Sequence, residues 1–352
     1  MSKRKIVFTG GGSAGHVTPN IAIISELENW DIHYIGSRKG IEKELIEKIT
    51  IPYYGISSGK LRRYIDFENI VDVFRVMKGF AEARRLLKKL KPNLVFSKGG
   101  FVSVPVVIAA KSLGIPIFIH ESDMTPGLAN KISTRFATKI FTSFDETKAY
   151  FPEGKTTVIG SPIRKEILTG SPERGIKLLG FDHKRPILTI MGGSLGAKKI
   201  NEVVRGSLNQ LTQSFQIVHL CGKNNTDNHF SSVPRYRQFE YVHEELSDIL
   251  AATDIVLSRG GSNAIFEFLA LNIPMLIVPL GLNQSRGDQI LNAQAFQERG
   301  YSLTLDEENL NEKSLIELLE NLYKNKETFQ RNMTDSQKGK ALQTLVNEIN
   351  KL

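Results

Sequence analysis

A strand that runs into a glycine loop and then into a helix occurs twice in this chain, and that repetition limits the fold more than any other feature. The two loops are Gly10-Gly11-Gly12-Ser13-Ala14-Gly15-His16 and Gly192-Gly193-Ser194-Leu195-Gly196-Ala197. Around them, short β-rich runs alternate with helical stretches. In the first half the runs are Lys5–Gly10, Asp31–Gly36, Asn93–Lys98, Ile115–His120, Lys139–Phe144 and Thr156–Ile159; in the second they are Pro186–Met191, Gln216–Cys221, Phe239–Val242, Asp254–Ser258, Met275–Pro279 and Ser302–Leu305. Strands separated by helices pair in parallel through helical crossovers, which predicts the α/β class. A chain of 352 residues exceeds what one core supports. Two Rossmann-like domains are therefore expected, 1–160 and 161–352, joined at Gly160-Ser161-Pro162, with ligands in the crevice at the carboxyl ends of both sheets. The tail Leu315–Leu352 is helical in pattern, and its last helix is expected to pack back on the first domain.

The loops allow three chemistries. Gly10-x-Gly12-x-x-Gly15 fits the dinucleotide fingerprint, but the second strand ends in Gly36-Ser37-Arg38 without the acid that would hold a ribose. Arg38 leaves an NADP enzyme open. Both loops also match the G-x-S-x-G elbow of a hydrolase, yet a hydrolase needs one nucleophile in one sheet. Loops that open helices and offer N–H groups to phosphate are useful once per half, so phosphate cradling is the better account. Two further turns repeat the pattern, Ser97-Lys98-Gly99-Gly100-Phe101 and Ser258-Arg259-Gly260-Gly261-Ser262-Asn263, each with a cation that suits a diphosphate. No Asp-x-Asp is present to hold a metal on that diphosphate, so helix N-termini and cations would supply the charge.

Composition narrows the class. With 41% hydrophobic and 24% charged residues the chain folds into globular domains, and apolar runs such as Val102–Ala110 are too short to span a membrane. A start that enters a strand directly, without a signal-peptide core, reads as cytoplasmic. The single Cys221 and seven scattered histidines predict no disulfide and no structural metal. The net charge of +9 lies entirely in residues 1–160, which hold 24 Lys+Arg against 15 Asp+Glu. Such a basic half suits an anionic membrane or a phosphorylated substrate, and nucleic acid is the weaker account because no nucleic-acid motif accompanies it.

Seven segments in order resemble the MurG family of bacterial glycosyltransferases: Gly12 to Pro19, Gly99 to Ser103, His120-Glu121-Ser122-Asp123, Gly127 to Asn130, Gly160 to Arg164, Gly192 to Ala197 and Ser258 to Glu267. The resemblance implies a GT-B fold of two facing Rossmann-like domains. It also implies transfer of N-acetylglucosamine from UDP-N-acetylglucosamine to a lipid-linked muramoyl-pentapeptide in peptidoglycan synthesis, without a cofactor. Carried over by position, it places Ser194 and Arg164 on the donor diphosphate, which the N–H groups of Ser262, Asn263 and Ala264 cap. Glu267 falls on both ribose hydroxyls, Gln289 and Asn292 on the sugar, and the backbone at Val242-His243 on the uracil edge. Ser13, Ala14 and Gly15 face the donor, while Gly12, Gly99, Gly100, His120, Glu121 and Asp123 face the acceptor. Some relatives carry amides where this chain has Asp123 and Asp288. Another lipid sugar transferase of the same fold, a UDP-sugar epimerase, and a nucleotide-sugar binding protein without catalysis are the alternatives.

Inverting transfer needs a base for the incoming hydroxyl, and His16 is the candidate, because a helix N-terminus favours the neutral imidazole that accepts a proton. Its other role would be to orient the loop or bind acceptor phosphate; His120-Glu121 would replace or hold it. A polyprenyl-diphosphate acceptor requires the protein to meet the cytoplasmic face of a membrane peripherally. Arg62-Arg63 precede Phe67, Ile70, Val71, Phe74, Met77 and Phe80 at helical spacing, followed by Arg84-Arg85 and Lys88-Lys89, a pattern that suits docking on anionic lipid or, alternatively, a core-facing helix.

Overall fold

The computed structural model describes residues 3–59, 67–193, 196–334 and 340–352, with the backbone alone for 67–71. Contacts divide the chain into two compact units. The first runs to Pro162 and takes in the C-terminal helix; the second begins at Ile163.

Among the described residues the first unit holds β1 (Arg4–Thr9), β2 (Trp30–Ser37), β3 (Tyr53–Ile56), β4 (Leu94–Ser97), β5 (Ile117–Glu121), β6 (Lys139–Thr142) and β7 (Thr156–Val158). They form one parallel sheet in the order β3-β2-β1-β4-β5-β6-β7. Its helices are α1 (Thr18–Ile24), α2 (Ile41–Lys48), α3 (Phe67–Leu90), α4 (Ser103–Ser112) and α5 (Leu128–Ser133). The second unit holds β8 (Ile187–Met191), β9 (Gln216–Leu220), β10 (Tyr236–Phe239), β11 (Ile255–Ser258), β12 (Met275–Ile277) and β13 (Ser302–Thr304), again parallel, in the order β10-β9-β8-β11-β12-β13. Its helices are α6 (Pro172–Leu179), α7 (Lys198–Gly206), α8 (Leu208–Ser214), α9 (Leu246–Ala251), α10 (Ser262–Ala270), α11 (Asp288–Glu298), α12 (Glu312–Lys324) and α13 (Lys326–Thr334); α14 (Lys340–Asn350) returns to the first unit.

Local chemistry accounts for these elements. The central strands β4 and β5 are buried along their whole length, as parallel strands covered on both faces must be. α6 starts on Ser171, whose hydroxyl accepts from the Arg174 N–H, and stops at Gly180 in the left-handed conformation. α12 opens on a reciprocal Asn311–Ser314 capping box. On one face of the first sheet, Ile6, Phe8, Trp30 and Phe96 pack with Leu342, Leu345 and Ile349 of α14. Trp30 Nε1 donates to Asn350 Oδ1 at 2.8 Å, and Lys139 pairs with Glu348. On the other face Val7, Val95 and Ile119 meet Ala83, Leu87 and Val107.

Two strands depart from the sequence reading. β3 was absent from it, because Pro52 and Gly55 break the apolar run, and both are tolerated where a strand lies at a sheet edge. The ninth expected run, Phe239–Val242, is realised three residues earlier as β10, also an edge strand.

In both sheets the strand order reverses beside the first strand, between β1 and β4 and between β8 and β11. Thr9 pairs with Ser97 and Met191 with Ser258 at the carboxyl ends of those strands. All four glycine turns therefore leave strands that flank a switch point, the place where open α/β sheets bind ligands.

Candidate active site

In the first unit the two glycine turns are packed backbone on backbone. A Cβ on Gly100, which has φ +83°, would lie 2.2 Å from the Gly11 carbonyl oxygen, so no larger residue fits. The loop after β1 closes as a single helical turn, Ala14–His16, which leads into α1. Gly12 and Ser13 are exposed, whereas Ala14, Gly15 and His16 are half-buried.

A residue absent from the sequence reading holds this loop. Glu42, in the first turn of α2, is fully buried. One carboxylate oxygen accepts from the Gly12 N–H at 3.2 Å, and the other accepts from the Ser37 N–H at 3.0 Å and the Ser37 hydroxyl at 2.5 Å. Gly11, Gly36 and Gly40 surround the carboxylate, and a Cβ on any of them would come within 3.0 Å of Glu42 atoms. A Glu in the first turn of a helix reads in sequence as a dipole partner, which hid this role. Glu42→Gln removes one acceptor from this set and is expected to lower stability by about 1–2 kcal/mol. Denaturant unfolding that matches the native protein would show that the carboxylate is not an anchor.

The expected acceptor groups need correction. The Gly12 N–H is taken by Glu42 and the Gly99 N–H donates to Ser97 Oγ at 3.3 Å, so these two glycines shape the turns instead of offering donors. His120 is buried with both ring nitrogens engaged: Nε2 donates to the Gly160 carbonyl at 3.0 Å, and Nδ1 accepts from the Lys98 ammonium at 2.5 Å. Burial and the neighbouring Lys98 hold its pKa well below the ordinary value, so it stays neutral. Held this way, His120 is neither a substitute base nor a support for His16. Burial also lowers the Lys98 ammonium to about 8, with Glu121 and Asp123 opposing the shift. The Glu121 carboxylate gathers the loop after β5, accepting from the Ser122, Asp123 and Gly127 N–H groups and from the Asn130 amide. Its pKa is raised, chiefly by burial. Asp123 itself is only half-buried.

In the second unit Ser194 lies outside the described residues. The flanking Gly193 and Gly196 both have positive φ, and a Cβ on Gly196 would meet the Cys221 carbonyl at 2.2 Å. α10 starts at Ser262 on Gly261, with no side chain capping its end, so the Ser262, Asn263 and Ala264 N–H groups open the helix beside β11. Arg259 turns away from this end: its guanidinium donates to the Val278 carbonyl at 3.2 Å and pairs with Glu307. Both turn cations are engaged inside their own units, Lys98 with His120 and Ser122 and Arg259 with Glu307, rather than left open as the sequence reading expected.

Asn292 is fully buried, and its amide donates to the Gly260 carbonyl at 3.1 Å. Through that bond it braces the turn. Gln289 is half-buried and accepts from the Leu280 N–H at 3.1 Å through Oε1. Arg164 and Glu267 come together, with the guanidinium 3.4 Å from Glu267 Oε1. Burial raises the Glu267 pKa and Arg164 partly restores it. Val242 and His243 border a cavity of about 430 Å³ that Phe239 and Tyr241 also line, and the His243 ring stacks on Tyr241 with centroids 6.3 Å apart.

On α3, Phe74 is 67% and Met77 is 61% exposed, beside exposed Val73, Lys78, Arg85, Lys88 and Lys89. Arg84 donates to Ser112 Oγ at 3.2 Å. Phe80 departs from the expected stripe by packing against the core. Arg62 and Arg63 lie outside the described residues, as do the side chains of Phe67, Ile70 and Val71. Among the described residues no helix is long and apolar enough to cross a membrane.

Comparison with known proteins agrees with this architecture. The glycosyltransferase family 28 N-terminal domain matches residues 6–142, and the C-terminal domain of the same family matches residues 187–349. The chain is 58% identical, over 98% of its length and 99% of the relative's, to UDP-N-acetylglucosamine--N-acetylmuramyl-(pentapeptide) pyrophosphoryl-undecaprenol N-acetylglucosamine transferase 2 of Bacillus cereus. It is 55% identical, over 98% of each chain, to the transferase of that name from Shouchella clausii. The crystal structure of Acinetobacter baumannii MurG shares the fold, with a TM-score of 0.79 at 24% identity over 99% of this chain and 100% of that one. A UDP-N-acetylglucosamine 2-epimerase shares it with a TM-score of 0.70 at 14% identity over 99% of this chain and 96% of that one. Two doubly wound parallel sheets, glycine turns at both switch points and these matches along nearly the whole sequence establish that the chain belongs to glycosyltransferase family 28, as a glycosyltransferase of the MurG type with the GT-B fold.

Proposed function

We propose that this protein moves N-acetylglucosamine from UDP-N-acetylglucosamine to a polyprenyl-diphosphate-linked N-acetylmuramyl-pentapeptide, converting lipid I to lipid II in peptidoglycan synthesis. The observation that carries the reading is the 58% identity, across 98% of the chain, with a transferase named for that reaction. The acceptor hydroxyl oxygen bonds to the anomeric carbon, the bond from that carbon to the β-phosphate oxygen breaks, and configuration inverts. His16 takes the hydroxyl proton. The departing UDP carries negative charge, which the N–H groups at the start of α10 and Arg164 stabilise. Glu267 accepts from the ribose hydroxyls, Gln289 offers its amide to the sugar, and the backbone at Val242-His243 reads the uracil. UDP release should require the lipid acceptor and persist in excess chelator. Release of UDP with N-acetylmannosamine and no acceptor would mark an epimerase, and binding without release would mark a nucleotide-sugar binder.

The protein works on the cytoplasmic face of the membrane as a peripheral protein. Exposed Phe74 and Met77 enter the lipid interface, and the cations that follow on α3 meet anionic headgroups. Phe74→Ser with Met77→Ser is expected to reduce binding to anionic vesicles about tenfold, roughly 0.7 kcal/mol for each side chain, while turnover of a short-chain soluble acceptor is spared. Equal loss of both activities, or vesicle binding indifferent to ~0.5 M salt, would remove the docking role from α3.

A further inference from the structure

A second concavity in the first unit has no task in the chemistry above. It encloses about 580 Å³ and lies to one side of the first glycine loop, across the carboxyl ends of β1, β2 and β3. Gly12 borders it at the loop; Arg38 and Lys39, in the turn after β2, and Ser57, beyond β3, form its base; Arg75 of α3 and Phe101 of the second glycine turn line it as well. Three cations thus face one space. Among the described residues the carboxylates nearby are already committed. Glu42 is fully buried on Gly12 and Ser37, Asp72 is buried and holds Arg75 at 3.0 Å, and Glu82 holds Arg38 at 2.7 Å while accepting from the Ser57 N–H at 2.7 Å. Each arginine is anchored through one terminal nitrogen with its side chain 56% exposed, and Lys39 is exposed beside them.

We propose that this concavity binds the peptide stem of the acceptor, through the stem's free terminal carboxylate, an assignment that rests on the transferase reading above. A pentapeptide attached by its amino end leaves its far carboxylate free, and five extended residues reach about 17 Å. The switch point between β1 and β4 lies about 12 Å from β3, two and a half strand spacings. A stem whose sugar sits at the switch point therefore reaches the Arg38, Lys39 and Arg75 cluster. Guanidinium groups held by ion pairs are pre-organised for carboxylates, which favours this ligand over a neutral one. Phe101, exposed at the switch-point end, offers an apolar surface beside the cations.

The test is steady-state transfer by the full-length protein to two soluble short-chain acceptors, one with the complete pentapeptide and one without any peptide. Arg75→Gln and Arg38→Gln should each raise KM for the pentapeptide acceptor roughly five- to tenfold, the effect of one lost charged contact at a partly exposed site. The KM for the peptide-free acceptor, the KM for UDP-N-acetylglucosamine and kcat should not move, and Arg75→Lys should recover most of the loss. Lys39→Ala, at an exposed position outside these ion pairs, repeats the test without disturbing the fold. Equal changes with both acceptors, or none with either, would overturn the assignment. Titration calorimetry with N-acetylmuramyl-pentapeptide reads the same site without turnover. Binding that weakens in the variants upholds the stem site even if the native protein fails to transfer sugar, which would overturn only the transferase reading, and binding that is absent or unchanged in the variants overturns the stem site.

Discussion

His16→Ala is expected to lower kcat by about 10²–10⁴, the usual contribution of a positioned general base, while leaving the affinity for UDP-N-acetylglucosamine at its native value. The separation follows from the fold. His16 closes the single turn after β1, in the first unit, whereas the donor groups Arg164, Glu267 and the start of α10 all belong to the second. The loop backbone has bonds of its own, from the His16 N–H to the Ser13 carbonyl and from the Val17 N–H to the Ala14 carbonyl. Stopped-flow measurement of single turnovers with saturating acceptor gives the chemical rate directly. A variant that keeps its turnover number and loses only acceptor affinity would make His16 a contact to the acceptor, and the base would have to be sought elsewhere.

Glu267→Ala should weaken UDP-N-acetylglucosamine by about 2–3 kcal/mol, a loss of roughly 30- to 150-fold, since two hydroxyls lose a charged acceptor and Arg164 loses its partner. Burial raises the pKa of this carboxylate, and Arg164 only partly offsets the shift. The sign of the pH effect follows. Ionised Glu267 accepts from both ribose hydroxyls; protonated Glu267 surrenders one acceptor position and pairs less well with Arg164. Donor affinity should therefore fall as pH drops through the raised pKa, beginning above the ordinary carboxylate range near ~4.3. Glu267→Gln should bind weakly at every pH and lack that limb. An unaltered pH profile of donor KM in Glu267→Gln would detach the limb from this residue.

Much of the fold was legible in the chain because glycine is demanding. Gly100 and Gly196 sit where a Cβ would strike a carbonyl at 2.2 Å, and such positions leave a plain trace in sequence. The alternation of strands and helices announced parallel sheets for a related reason: runs such as Leu94-Val95-Phe96 are apolar throughout because helices cover both faces. What stayed hidden depends on partners distant in sequence. Glu42 joins residues of two different turns, and no local pattern marks a helical glutamate as buried. Arg259 looked like a phosphate ligand until Glu307, 48 residues later, was seen to take it. The resemblance put Asn292 on the sugar, and only the fold showed Gly260 set against its amide. β3 was missed because an edge strand tolerates the proline and glycine that would break a central one.

The helix α14 carries a consequence for how the protein is made. Its residues Leu342, Leu345 and Ile349 complete the surface that Ile6, Phe8 and Trp30 form at the opposite end of the chain. On a ribosome that adds about 5–20 residues per second, the roughly 180 residues between Pro162 and α14 take on the order of 10–40 s to appear. Throughout that interval the part of the apolar face that α14 covers stays open on the nascent first unit, while the second unit is synthesised whole. Ordered completion of the first unit thus waits on α14, and the cell must shield a greasy patch from neighbouring chains until that helix emerges.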